Sequence, residues 1–303
     1  MCYPAWNSWA TLNLSKGRDA ELGRSVGCLS EQVSSSIVIA TKMGESWGPW
    51  HGCPGFPVTR SPACQNCYAV VRQMPRYRRY RGHEHEVTLA TKHSFKKPLY
   101  WTQYDPKMIF VCPWSDYFVP DPVADTYRPL TWEFMKQTWW HTYRISTKFP
   151  GHIKDSLPAD WWPSGYDNVW LGVSVENQDY AKRIGYLQAV PANLKWVSAE
   201  PLVGPLDLTP YLKDLGWVIA GGMSGDSKHP SVNSPNRDAW FLDLARQCKQ
   251  AGVPFMLKQR GGDKKCTCHR PNNPTAPNSL PHEPAYGCRV VAGQLFDEFP
   301  NLP

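Results

Sequence analysis

A chain of 303 residues is long enough to bury a sizeable core, and parallel α/β barrels of this length often form one main domain with an appendage. Its net charge of +7 favours a polyanionic partner. No run of about 18 apolar residues and no basic start leading into an apolar stretch occurs, so neither a membrane span nor an export leader is expected and a cytoplasmic protein is.

Ten cysteines in that setting argue for metal ligation or buried thiols rather than a disulfide framework. Cys2, Cys28, Cys112 and Cys248 are isolated and are expected as small buried hydrophobes. The 15 Trp, 14 Tyr and 10 Phe are a heavy aromatic load, most of it expected to pack the core or anchor the surface and some able to stack on flat ligands such as bases.

Residues 1–34 have no clear period and are expected as an N-terminal extension. Over 35–261, short β-branched or apolar runs alternate with amphipathic stretches, the pattern of a parallel sheet wrapped by helices. Strands are predicted at 36–42, 108–113, 142–147, 169–175, 195–199, 216–220 and 254–258. Helices are predicted at about 66–81, 129–140, 178–189 and 237–251, the last stopping at Gly252 ahead of Pro254. The fold class is α/β, a full or partial (β/α) TIM-like barrel, with an open doubly wound sheet as the alternative.

After the first predicted strand comes GPWHGCPGFPVTRSPACQNCYAV. Cys64 and Cys67 form a CxxC pair that can bite one metal, and the Gly/Pro-rich stretch before them lets the chain return so that Cys53 adds a third thiolate. Most iron-sulfur clusters use four cysteines and structural zinc is closed by four ligands. Three thiolates on a cubane would leave one iron open, as radical S-adenosylmethionine (SAM) chemistry requires. The ten-residue first interval departs from the CxxxCxxC spacing of that superfamily, and His51 offers a fourth ligand, so a closed zinc site is an equal alternative on spacing alone.

Directly afterwards, RQMPRYRRYR interleaves Arg72, Arg76, Arg78, Arg79 and Arg81 with Tyr77 and Tyr80, and Lys92, Lys96 and Lys97 follow. Guanidinium groups pair with phosphates while tyrosines stack on bases, so this segment is a candidate nucleic-acid track; a solvated basic helix face is the alternative.

Each later strand ends in polar residues or glycine: Ser115 and Asp116; Thr147 and Lys148; Ser174, Glu176 and Asn177; Glu200; Gly221 and Gly222; Lys258 and Gln259. In a barrel these ends share one mouth, where an active site lies.

Residues 262–303 are expected as a Cys/His-rich module with a tail. Cys266, Cys268, His269, His282 and Cys288 lie in a Pro/Asn-rich stretch without periodicity, which a metal would have to hold together. Zinc is the simplest occupant, an auxiliary iron-sulfur cluster the second, and a loop with free thiols the third.

The ordered motifs WGPWHGC, SPACQNCYA, IFVCPWSDYF, ISTKFP, VWLGVSVENQ, SAEPLVGPLDL, WVIAGGMSG and CKQAGVPFMLKQRGG resemble a family of phage and prophage proteins of unknown function known for a three-cysteine motif. The match covers roughly residues 37–262 and resumes at CRVVAGQLFDEFP; the first cysteine interval is longer here than is usual in that family.

The family is similar to radical SAM enzymes in barrel organisation and in placing its cysteines after the first strand. By that resemblance Cys53, Cys64 and Cys67 would ligate a [4Fe-4S] cluster. Ser115, Asp116, Thr147, Ser174, Glu176, Asn177 and Glu200 would line the SAM and substrate pocket. From the ring of strand ends Gly221 and Gly222 are added as candidate cofactor-binding residues, and Glu176, Glu200 and Lys258 are the candidate catalytic groups. The resemblance implies a phage-infected bacterial host, an electron donor, and a DNA or nucleotide substrate. The expected reaction is of the isomerase or lyase type, a rearrangement of a modified thymine-type base during DNA hypermodification. The alternatives are a radical base-repair lyase and a non-catalytic, zinc-stabilised nucleic-acid-binding protein.

Overall fold

The computed structural model describes residues 45–223, 234–261, 290–292 and 294–300. The N-terminal extension, the strand predicted at 36–42, and the five Cys and His candidates between 266 and 288 lie outside these residues.

Seven parallel strands follow one another across the sheet in chain order: β1 (Glu45–Trp47), β2 (Met108–Val111), β3 (Thr142–Thr147), β4 (Val169–Ser174), β5 (Leu194–Ala199), β6 (Trp217–Gly221) and β7 (Phe255–Gln259). The sheet curls into a half-barrel whose edges, β1 and β7, do not pair with each other. The six predicted strands that fall within the described residues are present, with ends moved by at most two residues. Among the described residues no helix is long and apolar enough to cross a membrane.

Strict alternation gives the sheet two different faces. Ile109, Val111, Tyr143, Ile145, Leu171, Val173, Val197, Val218 and Leu257 point into the main core against the helices. The other face lines the concave side. Deep in it, Met108, Trp170, Trp196, Trp217, Ile219 and Met256 form a second apolar cluster, with Trp217 6.0 Å from Trp170 and 6.3 Å from Trp196 between ring centroids. Nearer the strand C-termini the same face carries Ser146, Ser174, Ser198 and Lys258. The half-barrel therefore has an aromatic floor and a polar mouth.

Helix α1 (Pro122–Gln137) begins seven residues before the predicted start. Asp121 caps it by accepting from the Val123 amide at 2.8 Å, and Pro122 occupies the first helical position, where its missing N–H costs nothing. Pro129, which reads as a helix start, is an interior residue. The stretch predicted as one helix at 178–189 is a short turn followed by α2 (Arg183–Gln188). Helix α3 (Arg237–Ala251) matches its predicted bounds and stops at Gly252 in a left-handed conformation. The predicted helix at 66–81 is instead a wide turn at Ala69–Gln73 and a tight one at Met74–Arg76, because Pro75 in its middle can neither donate to the helix ladder nor avoid the preceding carbonyl.

The tail after the C-terminal module runs along the edge strand β7. Leu257 N–H donates to Phe296 O at 3.0 Å, Phe255 N–H to a Glu298 carboxylate oxygen at 3.0 Å, and Trp217 Nε1 to Glu298 O at 2.9 Å. An edge strand left open is a template for aggregation, and here the chain covers its own.

Gly172 faces Trp196 across β4 and β5, and a Cβ at that position would lie 2.5 Å from the indole ring. Trp217 packs against that ring, 6.3 Å between centroids, and opposes its displacement. Gly172→Ala is therefore expected to lower stability by about 2 kcal/mol, the usual cost of overpacking, read as a lower urea midpoint at unchanged slope.

Candidate active site at the mouth of the half-barrel

Where the strands end, a cavity of about 230 Å³ opens. Its walls come from six strand ends, β2 to β7, and from the cysteine loop, which contributes Ala63, Asn66, Cys67 and Tyr68. Of the expected site residues, Ser115, Asp116, Ser174, Glu200, Gly222, Lys258 and Cys67 line it. Thr147, Glu176, Gly221 and Asn177 stand behind or beside that wall.

The cysteine loop is fastened at several points. Gly52 opens it with φ at +94°, and a Cβ there would come 1.9 Å from the Glu86 carbonyl oxygen, so only glycine fits. The Ser115 hydroxyl donates to Gly52 O at 2.5 Å, and Tyr180 OH donates to Arg60 O at 2.6 Å. Farther on, Ser61 Oγ donates to Glu176 Oε1 at 2.7 Å.

Glu176 is fully buried. Its second oxygen accepts from Arg183 Nη1 at 2.8 Å, and Lys148 Nζ lies 3.6 Å from the first. Arg183 also donates to Ser174 O at 2.7 Å, which ties α2 to the end of β4. Both carboxylate oxygens are thus occupied by protein groups. Asn177 turns away to cap the turn at Gln178–Tyr180, its side chain accepting from Asp179 N–H at 3.1 Å.

Asp116 is a second buried carboxylate. Thr147 Oγ1 donates to it at 2.6 Å, the Lys148 amide at 2.7 Å and the Phe118 amide at 3.0 Å. Burial raises its pKa above the ordinary value, against the pull of those three donors. Thr147 is consumed by this bracing. On the opposite wall Lys258 Nζ lies 2.9 Å from Glu200 Oε1, Ser198 Oγ donates to Glu200 Oε2 at 3.2 Å, and Gly221 leaves room for that carboxylate. Gly222 is needed where the chain meets the Arg260 carbonyl, which a Cβ would approach to 2.1 Å.

Cys53, Cys64 and Cys67 are reduced and half-buried. Each of the first two lies within electrostatic range of the others: Cys53 experiences Cys64 and Cys67, and Cys64 experiences Cys67. Burial pushes the Cys53 thiol up to about 12 and raises Cys64 as well, where Lys148 opposes it. At Lys148 burial favours the neutral amine, but Glu176, Cys64, Cys67 and Asp116 together outweigh it and hold its pKa above the ordinary lysine value.

Among the described residues no three Cys, His, Asp or Glu side chains are gathered tightly enough to grip a single metal ion. A tetrahedral zinc would draw its sulfurs to about 3.8 Å from one another. In a cubane each thiolate bonds a different iron, so the sulfurs stand farther apart. His51, the candidate fourth ligand, packs against Tyr80 and Trp114, and its pKa falls to about 4 through burial and the neighbouring Arg79 charge.

Arg72, Arg76, Tyr77, Arg78, Arg79 and Arg81 are exposed on the turns after Cys67. Arg79 reaches back to Leu89 O at 2.6 Å and Arg81 to Pro75 O at 3.1 Å. Tyr80 is buried, with its ring against His51 and Trp114, whereas Tyr77 covers Trp114 from the outside.

Sequence reasoning missed Ser61, Arg183, Ser146, Ser198 and Cys112. A serine in a Pro-rich loop and an arginine on a helix carry no local signal of a shared buried partner. Ser146 and Ser198 show themselves only as inward positions of strands already recognised. Cys112 is buried as expected, but it also lines the cavity, in a left-handed conformation with φ of 57° that turns the chain across the mouth. Cys248 is a buried core residue.

Glu176→Gln keeps the shape of the contact with Ser61 but removes the carboxylate that pairs with buried Arg183 and the nearest counter-charge of Lys148. It is expected to cost about 3 kcal/mol of stability. Limited proteolysis should find the loop between Cys53 and Cys67 cleaved faster in this variant than in the parent.

No curated protein and no solved structure matches the chain. A family model described as Protein of unknown function (DUF5131) matches residues 38–300, which takes in the whole half-barrel and the covering tail, and the chain belongs to that family.

Proposed function

We propose that this protein is a radical SAM enzyme, with Cys53, Cys64 and Cys67 as the three protein ligands of a [4Fe-4S] cluster. The observation that supports the reading is one loop that carries three free thiols, Cys53, Cys64 and Cys67, with Cys67 lining a polar cavity at the strand C-termini of a curled parallel sheet. The donor set fits the group: soft thiols, three in number, set on a loop braced to the barrel. When bound, the cluster and SAM would supply a 5′-deoxyadenosyl radical for abstracting hydrogen from a substrate.

The chain's own residues would do the rest. Glu176 and Asp116 fix the loop and the end of β3. Lys148, hydrogen-bonded to Ser174 Oγ at 3.3 Å, presents a positive charge beside the thiols and the cavity. Phe110, Tyr68 and Met223 wall the cavity with apolar surface and limit the water within. Glu200 and Lys258 are the candidate groups for moving a proton to or from the substrate. An external donor would provide the electron.

The expected substrate is a modified thymine-type base in phage DNA or its precursor nucleotide, with an isomerase or lyase outcome. The exposed arginines after Cys67 support a nucleic acid, since they lead away from the cysteine loop. Cys266, Cys268, His269, His282 and Cys288 remain candidates for zinc or an auxiliary cluster.

Anaerobically purified protein is expected to be brown, with about four irons per chain at the first site. Cys64→Ala should form no 5′-deoxyadenosine from SAM under reducing conditions; turnover equal to the parent would refute the cluster, and a colourless zinc protein would favour the nucleic-acid-binding alternative. Replacing Arg76, Arg78 and Arg79 together by Ala should weaken DNA binding and lower the slope of log K against log salt by roughly 0.7 to 0.9 for each lost phosphate contact, with SAM cleavage intact. Binding identical to the parent at every salt concentration would point to a free nucleotide.

A further inference from the structure

Arg144 lies on the concave face of β3, one step deeper than Ser146, and pairs in register with Phe110 on β2 and Trp170 on β4. It is only 6% exposed. Its guanidinium carbon stands 5.4 Å from the Trp217 ring centroid, 5.8 Å from Trp196 and 5.9 Å from Phe110. Among the described residues its buried Nε has no hydrogen-bond partner, and no carboxylate comes within ion-pair distance of the group. Glu200 acts on it only from farther off.

Stability alone does not account for this arrangement. Aromatic faces attract a cation, but they offer its N–H groups no acceptor, and a buried charge without one is unfavourable. A methionine would fill the same space among the rings. Phe110, which covers the guanidinium, also lines the cavity, so the unanswered cation lies directly under the cavity floor.

Above it, Ser146, Ser174 and Ser198 stand on three successive strands. The first two hydroxyls are 3.1 Å apart, and Ser174 and Ser198 are register partners. The two lysines at this level each have a carboxylate beside them, Glu176 near Lys148 and Glu200 near Lys258. Among the described residues of this inner face, the positive charge without a carboxylate in ion-pair distance is the deep one.

We infer that Arg144, with the Ser146, Ser174 and Ser198 hydroxyls above it, recognises a small oxyanion, a carboxylate or phosphate, on the molecule that enters the cavity. A guanidinium fork matches either group with two parallel hydrogen bonds, and the hydroxyls can donate to the remaining lone pairs. Small movement of Phe110 would bring the two into contact. The inference goes beyond the radical chemistry proposed above and stands whether or not the three thiols hold a cluster.

The test is thermal unfolding of the full chain in acetate, inorganic phosphate or chloride at matched ionic strength. One oxyanion is expected to raise the Tm saturably above the chloride value, and which one does so identifies the group. Arg144→Met is expected to abolish that rise. Arg144→Lys keeps the charge without the fork, and should need about tenfold more anion for the same rise. No rise in the parent over chloride would overturn the inference, and so would an equal rise in Arg144→Met, which would place the anion on the exposed arginines. Should Arg144→Met fail to fold, an anion response in Arg144→Lys equal to that of the parent would overturn it. Because no cluster is needed, failure here leaves the three-thiol reading untouched.

Discussion

The Glu176 carboxylate is the interaction on which the mouth of this half-barrel depends. A fully buried carboxylate is tolerated only when charge and hydrogen bonds answer it. Glu176 meets that condition with groups from three separate places: Ser61 in the cysteine loop, Arg183 on α2 and Lys148 after β3. The demand runs in both directions. The carboxylate needs its partners, and the loop between Cys53 and Cys67, rich in Gly and Pro and with little apolar surface, needs a fixed point on the barrel. The same buried charge therefore determines where Cys64 and Cys67 stand relative to the strand ends.

Beneath the mouth, the two-faced sheet gives that fixed point something rigid to rest on. The outer face is an ordinary aliphatic and aromatic core. The inner face changes from tryptophan to serine along β4 and β5 and from methionine to lysine along β7, so one alternating pattern builds a packed floor and a polar cavity from the same strands. Gly172 leaves room for the Trp196 indole in that floor, and the tail from Gln294 to Pro300 covers the edge at β7 that would otherwise expose unpaired backbone. The curl is held without full closure.

The strands were legible because burial on one face and patterned burial on the other leave a strong period, and the polar residues after each of them were legible as a ring. Several of that ring do face one cavity. What stayed hidden has physical reasons. The predicted helix at 66–81 shows the right composition, yet Pro75 breaks its ladder. Helix α1 starts earlier than its periodicity suggests because its start is written in the Asp121–Pro122 cap and not in the apolar pattern. The contact between Ser61 and Glu176 joins residues 115 positions apart, and no local property of either residue announces the other. Arg144 reads in sequence as one polar residue inside a strand, and only the register and the ring contacts reveal that it lies between Phe110 and Trp170 and against Trp196 and Trp217.

Charge is sorted by depth in this molecule. Outermost, the arginines from Arg72 to Arg81 are exposed and carry most of their positive field into solvent, where it can act on a polyanion over a distance of about 8 to 10 Å at physiological salt. At the cavity wall the lysines stand beside carboxylates, so little net field is left to draw in counter-ions indiscriminately. Deepest lies Arg144, whose field is least screened because aromatic rings surround it. On the proposed readings a long polyanion would meet the outer layer and be too large for the cavity, whereas a small anionic group would pass the near-neutral wall toward the inner cation. If both proposals hold, two length scales of electrostatic recognition would be separated by depth in the half-barrel.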